Sequence, residues 1–210
     1  MNRCAAPSKA EARTQAQRER ILTAAKSCFV RQGFHAASMA AIAETADMSP
    51  GLIYRYFENK NAIILAIIEQ QLEMARGHIR QLHVSDDLVA GISDEFCDSC
   101  ADRENSMSAA LFLEMSAEAT RDVQIADALS RFDSMIRTEL VEWLGRNSEQ
   151  GGLGLPATIA APRALMLVCL IEGLKVRAAR EPQLDRKLLA RGLSDVVTAL
   201  LAADSTGAED

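Results

Sequence analysis

The stretch Ser38-Met-Ala-Ala-Ile-Ala-Glu-Thr-Ala-Asp-Met-Ser-Pro-Gly-Leu-Ile-Tyr-Arg-Tyr-Phe57 restricts the fold more than any other part of the chain. It reads as two short helices joined by a tight turn. Ser38 and Ser49 each stand where a hydroxyl accepts a hydrogen bond from an orphaned first-turn amide. Pro50 falls at the first helical position, where a missing amide costs nothing. Met39, Ile42, Ala43 and Ala46 recur at helical spacing and give the first short helix one apolar face. Helices this short do not persist alone in water. Ile21, Ala25, Cys28 and Phe29 upstream, and Ile63, Ile64, Ile67 and Ile68 downstream, form the stripes that can hold them. Gly33 is expected to stop the first long helix in a left-handed conformation, with Phe34 packing beneath it. Leu52, Ile53 and Phe57 form the inward set of the second short helix, whose N-terminal face is left open.

That face suits a duplex. Ser49 and Gly51 are small, and the free first-turn amides attract a phosphate. Tyr54 and Tyr56, the chain's only tyrosines, each combine a flat ring with a hydroxyl donor. Arg55 can reach phosphate or a guanine edge, and Lys60 opens the next helix, where charge and free amides favour phosphate.

Ile42-Ala43-Glu44, Met48-Ser49-Pro50-Gly51, Ile53-Tyr54-Arg55-Tyr56-Phe57 and Asn59-Lys60 together resemble the DNA-binding domain of the TetR family, over residues 14–74 with the motif at about 38–57. The resemblance implies a one-component regulator, usually a repressor. Such a protein binds a palindromic operator in double-stranded DNA as a homodimer and releases it when a small molecule enters the C-terminal domain. Carried over by position, operator contacts fall on Ser38, Ser49, Pro50, Gly51, Tyr54, Arg55, Tyr56 and Lys60. The chain departs from the family at Ala37, Met39, Ala40 and Ala41, where polar groups are common, and at Asp47, where Gly usually turns the chain. Asp tolerates positive φ better than most residues.

The remainder reads as helical. Aromatic content is 4%, Pro is scarce, Ala and Leu dominate, and alternating runs are absent, so the expected fold is all-α: a helix-turn-helix domain joined by a long helix to a C-terminal helical domain. A net charge of −6 argues against a nucleic-acid partner until it is divided. Residues 1–60 hold nine Lys and Arg against five Asp and Glu, net +4, which leaves fourteen against twenty-four, net −10, for the rest. The basic end carries the motif. Arg13, Arg18 and Arg20 can add phosphate contacts or remain solvated charges. Residues 1–13 read as a flexible basic arm and 204–210 as an acidic tail. No apolar run is read as membrane-spanning and no secretory core is seen, so a cytoplasmic protein is expected.

Beyond a connecting helix from Lys60 to about Leu82, helical patterns cover 86–102, 106–119, 122–145, 157–180 and 185–203, and the domain of residues 75–203 is expected to bind effector and to dimerise. Gly151 to Gly154 reads as a flexible loop. Leu167, Ile171 and Leu174, with Leu189, Leu193, Val196 and Leu200, form apolar faces suited to a four-helix dimer interface; Gly173 would allow close approach there. A largely apolar effector would lie among Phe96, Phe112, Met115, Phe132, Met135, Trp143, Met166 and Cys169, although each taken singly also reads as core. Glu114 and Glu118 read as an exposed helix face, and Glu172 as a buried charge.

Five cysteines, an odd number, point to reduced thiols; Cys97 and Cys100 form one C-x-x-C, leaving thiol sensing open. No nucleophile elbow, phosphate loop or paired His ligands appear, so neither enzymatic activity nor a cofactor or metal is expected. The competing reading is a helical small-molecule-binding or interaction protein with an idle helix-turn-helix.

Overall fold

The computed structural model describes residues 8–82 and 108–201, all helices and connecting turns. They form α1 (Lys9–Gln32), α2 (Met39–Thr45), α3 (Pro50–Ile53), α4 (Lys60–Leu82), α5 (Ala109–Ala119), α6 (Val123–Gly145), α7 (Ala157–Arg180) and α8 (Arg186–Leu201), with a 3₁₀ turn at Ser148–Gln150. Phe96, Cys97, Cys100 and the expected helix at 86–102 lie outside the described residues.

The first core is built by α1–α4. Ile21, Ala25, Cys28, Phe29, Ile42, Ile53, Ile63 and Ile67 are wholly buried, and Leu111 and Met115 of α5 close its far side. Both apolar stripes therefore turn inward onto α2 and α3. α1 starts earlier than expected: Ser8 and Glu11 form a capping box, each bonded to the other's backbone amide, so residues 9–13 are helix rather than arm. Gly33 ends α1 at φ 78 and ψ 159, a positive-φ stop outside the left-handed helical region. Phe34 packs under it with its ring 5.2 Å from that of Phe29.

A second core forms where α6 packs on α4 and α7, through Leu72, Ile136, Leu140, Trp143, Leu144, Ala160, Ala164 and Leu167. Trp143, expected to line a pocket, is buried here, and its indole N–H donates to the carbonyl of Gly151 at 3.0 Å. The 151–154 segment is accordingly a folded turn: Gly151 and Gly154 take φ of 74 and 66, and a Cβ on Gly152 would stand 2.3 Å from the Arg146 carbonyl.

α7 reaches membrane-spanning length with a mean hydropathy of 1.6 over 18 residues, contrary to the expectation that no run does. One side of it, Ala160, Ala164 and Leu167, lies in the second core. The other side, with Leu165, Met166 and Cys169, is open. α8 rests on α7 through Leu193 and Val197 packed near Leu170 and Leu174. Leu167 and Leu193, expected at an interface, are therefore core residues of the single chain. Ile171, Leu174, Leu189 and Leu200 are half-buried, and Val196 is 47% exposed.

Candidate nucleic-acid interface

The local sequence sets the geometry of the two short helices. Ser38 caps α2 by accepting from the Ala41 amide at 3.0 Å, as its position requires. Ser49 sits at the start of α3 in extended backbone with Pro50 after it, but its side chain makes no cap bond. Its hydroxyl is thereby left for another partner. Between the helices Asp47 takes φ 51, the left-handed turn expected of it. Arg20 holds that turn from α1, donating to the Asp47 carbonyl at 2.8 Å and its carboxylate at 3.2 Å.

α3 is one turn long. The chain continues it in a tighter turn, with the Arg55 amide bonded to the Leu52 carbonyl and the Tyr56 amide to that of Ile53. Tyr54, Arg55 and Tyr56 are thus presented from this turn instead of from an extended recognition helix. Ile53 and Phe57 anchor it in the core. Ser38, Ser49, Pro50, Gly51 and Arg55 are exposed, and Tyr54 is 55% exposed on the same short segment. Tyr56 is half-buried against the first core. Ala37 is buried, so its lack of a polar group does not impoverish the open surface.

Two further cations act as struts beside Arg20. Arg18 donates to the Tyr56 carbonyl at 3.1 Å while its guanidinium lies 4.3 Å from the centre of the Phe57 ring. Lys60 donates to the carbonyls of Phe34 at 2.7 Å and His35 at 3.1 Å, with its ammonium 4.6 Å from the Phe34 ring centre. Partial burial lowers the Lys60 pKa, while the charge of Glu118 acts in the opposite sense. Arg18, Arg20 and Lys60 thus brace the motif here; Arg13 alone of the three upstream arginines stays clear of it.

The same turn after α1 is gripped from the C-terminal half. Glu114 on α5 accepts the Phe34 amide at 2.9 Å, and Glu118, one turn on, lies 3.1 Å from Nε2 of His35. Glu118 is buried, so these two carboxylates form a clamp, not the exposed face expected of them. Asn61, next to Lys60, donates to Asp122, whose other carboxylate oxygen caps α6 through the amides of Gln124 and Ile125. The sequence did not show that His35 meets Glu118, Phe34 meets Glu114 or Asn61 meets Asp122, because contacts across sixty to eighty-odd residues leave no spacing to read; the helix-cap position of Asp122 was the one local clue to its role.

Of the expected effector residues that are described, Phe112 and Phe132 pack against the cluster that holds Met115, and the others lie in different settings. Met115 is buried in the first core and Trp143 in the second; Phe112 and Phe132 are half-buried; Met135, Met166 and Cys169 are exposed.

Residues 21–67 match the family described as "Bacterial regulatory proteins, tetR family", and residues 88–202 match "BetI-type transcriptional repressor, C-terminal". Over 196 residues the chain is 33% identical to the HTH-type transcriptional regulator UidR of Escherichia coli (strain K12), covering 90% of this chain and 96% of that protein. The solved structure of Salmonella enterica GusR aligns with a TM-score of 0.72 at 29% identity, over 95% of this chain and 99% of that one. A TetR-family regulator from Rhodococcus sp. shares the fold, with a TM-score of 0.69 at 20% identity over 90% of this chain and 100% of that one. The exposed, doubly braced helix-turn-helix and the matches over both halves place this chain in the TetR family of DNA-binding transcriptional regulators, with a BetI-type C-terminal domain and no enzymatic role.

Proposed function

We propose that the protein is a repressor that binds a palindromic operator as a homodimer in the cytoplasm and releases it when a small molecule occupies the C-terminal domain. The observation that carries the DNA reading is the open segment of Ser49, Pro50, Gly51, Tyr54 and Arg55 on a motif whose other apolar side chains are packed. Ser49 Oγ, free of any cap bond, and the Tyr54 hydroxyl can donate to phosphate, and Arg55 can do so with a full charge. One such motif makes few base contacts; two, spaced roughly 34–36 Å apart, read a palindrome. The open apolar sides of α7 and α8 supply the surface for pairing. Release follows if effector shifts α5 and α6: Glu114, Glu118 and Asp122 would carry that movement to the turn after α1 and the start of α4.

Selection of bound sites from random duplex DNA tests this reading, with Tyr54→Ala as the control. A palindrome should be enriched, binding should weaken steeply with salt, and Tyr54→Ala should lower affinity about 10- to 100-fold with an unchanged melting temperature. No enrichment at low salt, or enrichment indifferent to Tyr54, would favour the idle-motif alternative.

A further inference from the structure

Where the two cores meet, the chain buries a polar group without satisfying it. Gln71 on α4 is 5% exposed, and its Nε2 has no hydrogen-bond partner among the described residues. Its neighbours on the helix locate it: Ile67, one turn before, belongs to the first core, and Ala75, one turn after, packs on the second. A leucine would continue that line, so packing gives no reason for an amide.

α4 and α6 run parallel, tied by Asn61 to Asp122 at one end and by Arg76 to Glu139 at 2.8 Å farther along. The register between these ties sets Gln71 level with Asp133. Beside Asp133, Phe132 packs against both cores. α7 packs on α6, and its Glu172 feels the charge of Asp133, each carboxylate disfavouring ionisation of the other. Burial first, then Asp133, raises the Glu172 pKa against the pull of Lys175; burial raises that of Asp133 against Arg137. Lys175, almost a turn beyond Glu172, has its ammonium 5.6 Å from the centre of the Phe112 ring on α5. Four helices therefore bring an unsatisfied amide, two mutually repelling carboxylates, one ammonium and two aromatic rings to the same level of the bundle. A buried polar group is costly unless paired, so the missing partner is best supplied by something bound.

We propose that this level of the bundle is the effector site, and that it takes a polar, donor-rich small molecule: one that accepts a hydrogen bond from Gln71 Nε2, donates O–H or N–H groups to Asp133 and Glu172, and lies against Phe112 and Phe132. The inference rests on the effector-responsive reading above and replaces the largely apolar ligand expected from the sequence. The donors can come from the hydroxyls of a polyol or from protonated amines, and the probes separate these sources.

The test is thermal melting of the full chain with glucose, spermidine or decanoate, each at about 10 mM, since a ligand of the folded state raises the melting temperature by mass action. The expected result is a rise of several degrees with glucose or with spermidine, which identifies the source, and loss of that rise in Gln71→Met and Glu172→Gln. Without probe, Gln71→Met should melt no lower than the parent, because it removes an orphaned group while keeping the side chain's length. The inference is overturned if decanoate alone stabilises, if the rise survives in both variants, if Gln71→Met melts lower unaided, or if neither donor-rich probe shifts the melt. Both variants should still bind the selected operator, so a failure here leaves the regulator reading standing, whereas failure to select any operator removes that reading whatever the probes do.

Discussion

Ile21, Ile42, Ile53, Ile63 and Ile67 of the first core expose no surface, whereas α8 buries only Leu193 and Val197 and leaves Leu188 and Val196 open. The contrast separates a region that the described residues enclose from one that they leave open on one side. α2 and α3 are too short to persist alone, yet α1 and α4 enclose them and Asp47 is held by Arg20. α7 and α8 are long and apolar, yet each has a side left open among the described residues: Leu165, Met166, Cys169 and Gly173 on one, Leu188, Gly192 and Val196 on the other. A Cβ on either glycine would meet nothing within 4 Å. Met166, Cys169 and Gly173 on one helix, and Leu188, Gly192 and Val196 on the other, recur at intervals of three to four residues, as a helix-to-helix contact requires. A second copy of the chain is the cover we propose.

The largest expected effect breaks that cover. Met166→Asp combined with Val196→Asp places a charge in each stripe and should convert a dimer to a monomer in sedimentation. Operator affinity should then fall about 10²- to 10⁴-fold, the loss expected when two linked sites become one. Secondary structure should be retained, because neither residue belongs to a core of the single chain. A parent protein that sediments as a monomer would sink the pairing.

Within the complete region the expected cost is one of packing. Ile42→Ala should destabilise by about 2–4 kcal/mol in denaturant unfolding. Leu188→Ala, which leaves water on the same side, should change the stability of a single chain by less than about 0.5 kcal/mol. Similar losses for the two would mean that α8 is as well packed as α2.

A smaller effect is expected at the join of the two halves. Removing the buried Glu118 carboxylate (Glu118→Ala) should cost about 1–2 kcal/mol. In a double-mutant cycle with His35→Ala the coupling should be about 0.5–1 kcal/mol, limited by the exposure of the imidazole. Operator affinity should fall as well, although neither residue lies on the open face. Additive losses with unchanged operator binding would show that the clamp does not set the motif.

The helices were legible because their signals are local. Ser38, Pro50, the apolar stripes and the break at 151–154 each act within a turn or two of chain, and α4, α6 and α7 follow the expected boundaries to within a residue. Ser8 and Glu11 were equally local, and their S-x-x-E spacing was the overlooked sign of an earlier helix start. What could not be read was which faces meet. Glu114 and Glu118 look like a solvated pair until α5 is laid against the turn after α1. Trp143 and Leu167 look like pocket and interface until α6 and α7 are packed together. Apolar periodicity tells that a face is covered but not by what, so the residues found in settings other than those expected all depend on partners distant in sequence.

The two serines show the same division at its smallest scale. Both precede a short helix and both have the extended backbone of a cap. Only the Ser38 hydroxyl meets an amide, that of Ala41. The Ser49 hydroxyl meets neither the Gly51 nor the Leu52 amide, the two that a cap would satisfy, and stays open on the face assigned to DNA. Ser38→Ala should therefore lower stability by about 1 kcal/mol, the ordinary value of an N-cap, and lower operator affinity only as far as α2 is loosened. Ser49→Ala should leave the melting temperature unchanged and weaken operator binding about 5- to 10-fold, the loss of one neutral hydrogen bond to phosphate. Stability and operator affinity measured on both variants give four numbers. If Ser49→Ala is the one that destabilises while binding is spared, its hydroxyl is a cap after all and the open face loses one of its donors.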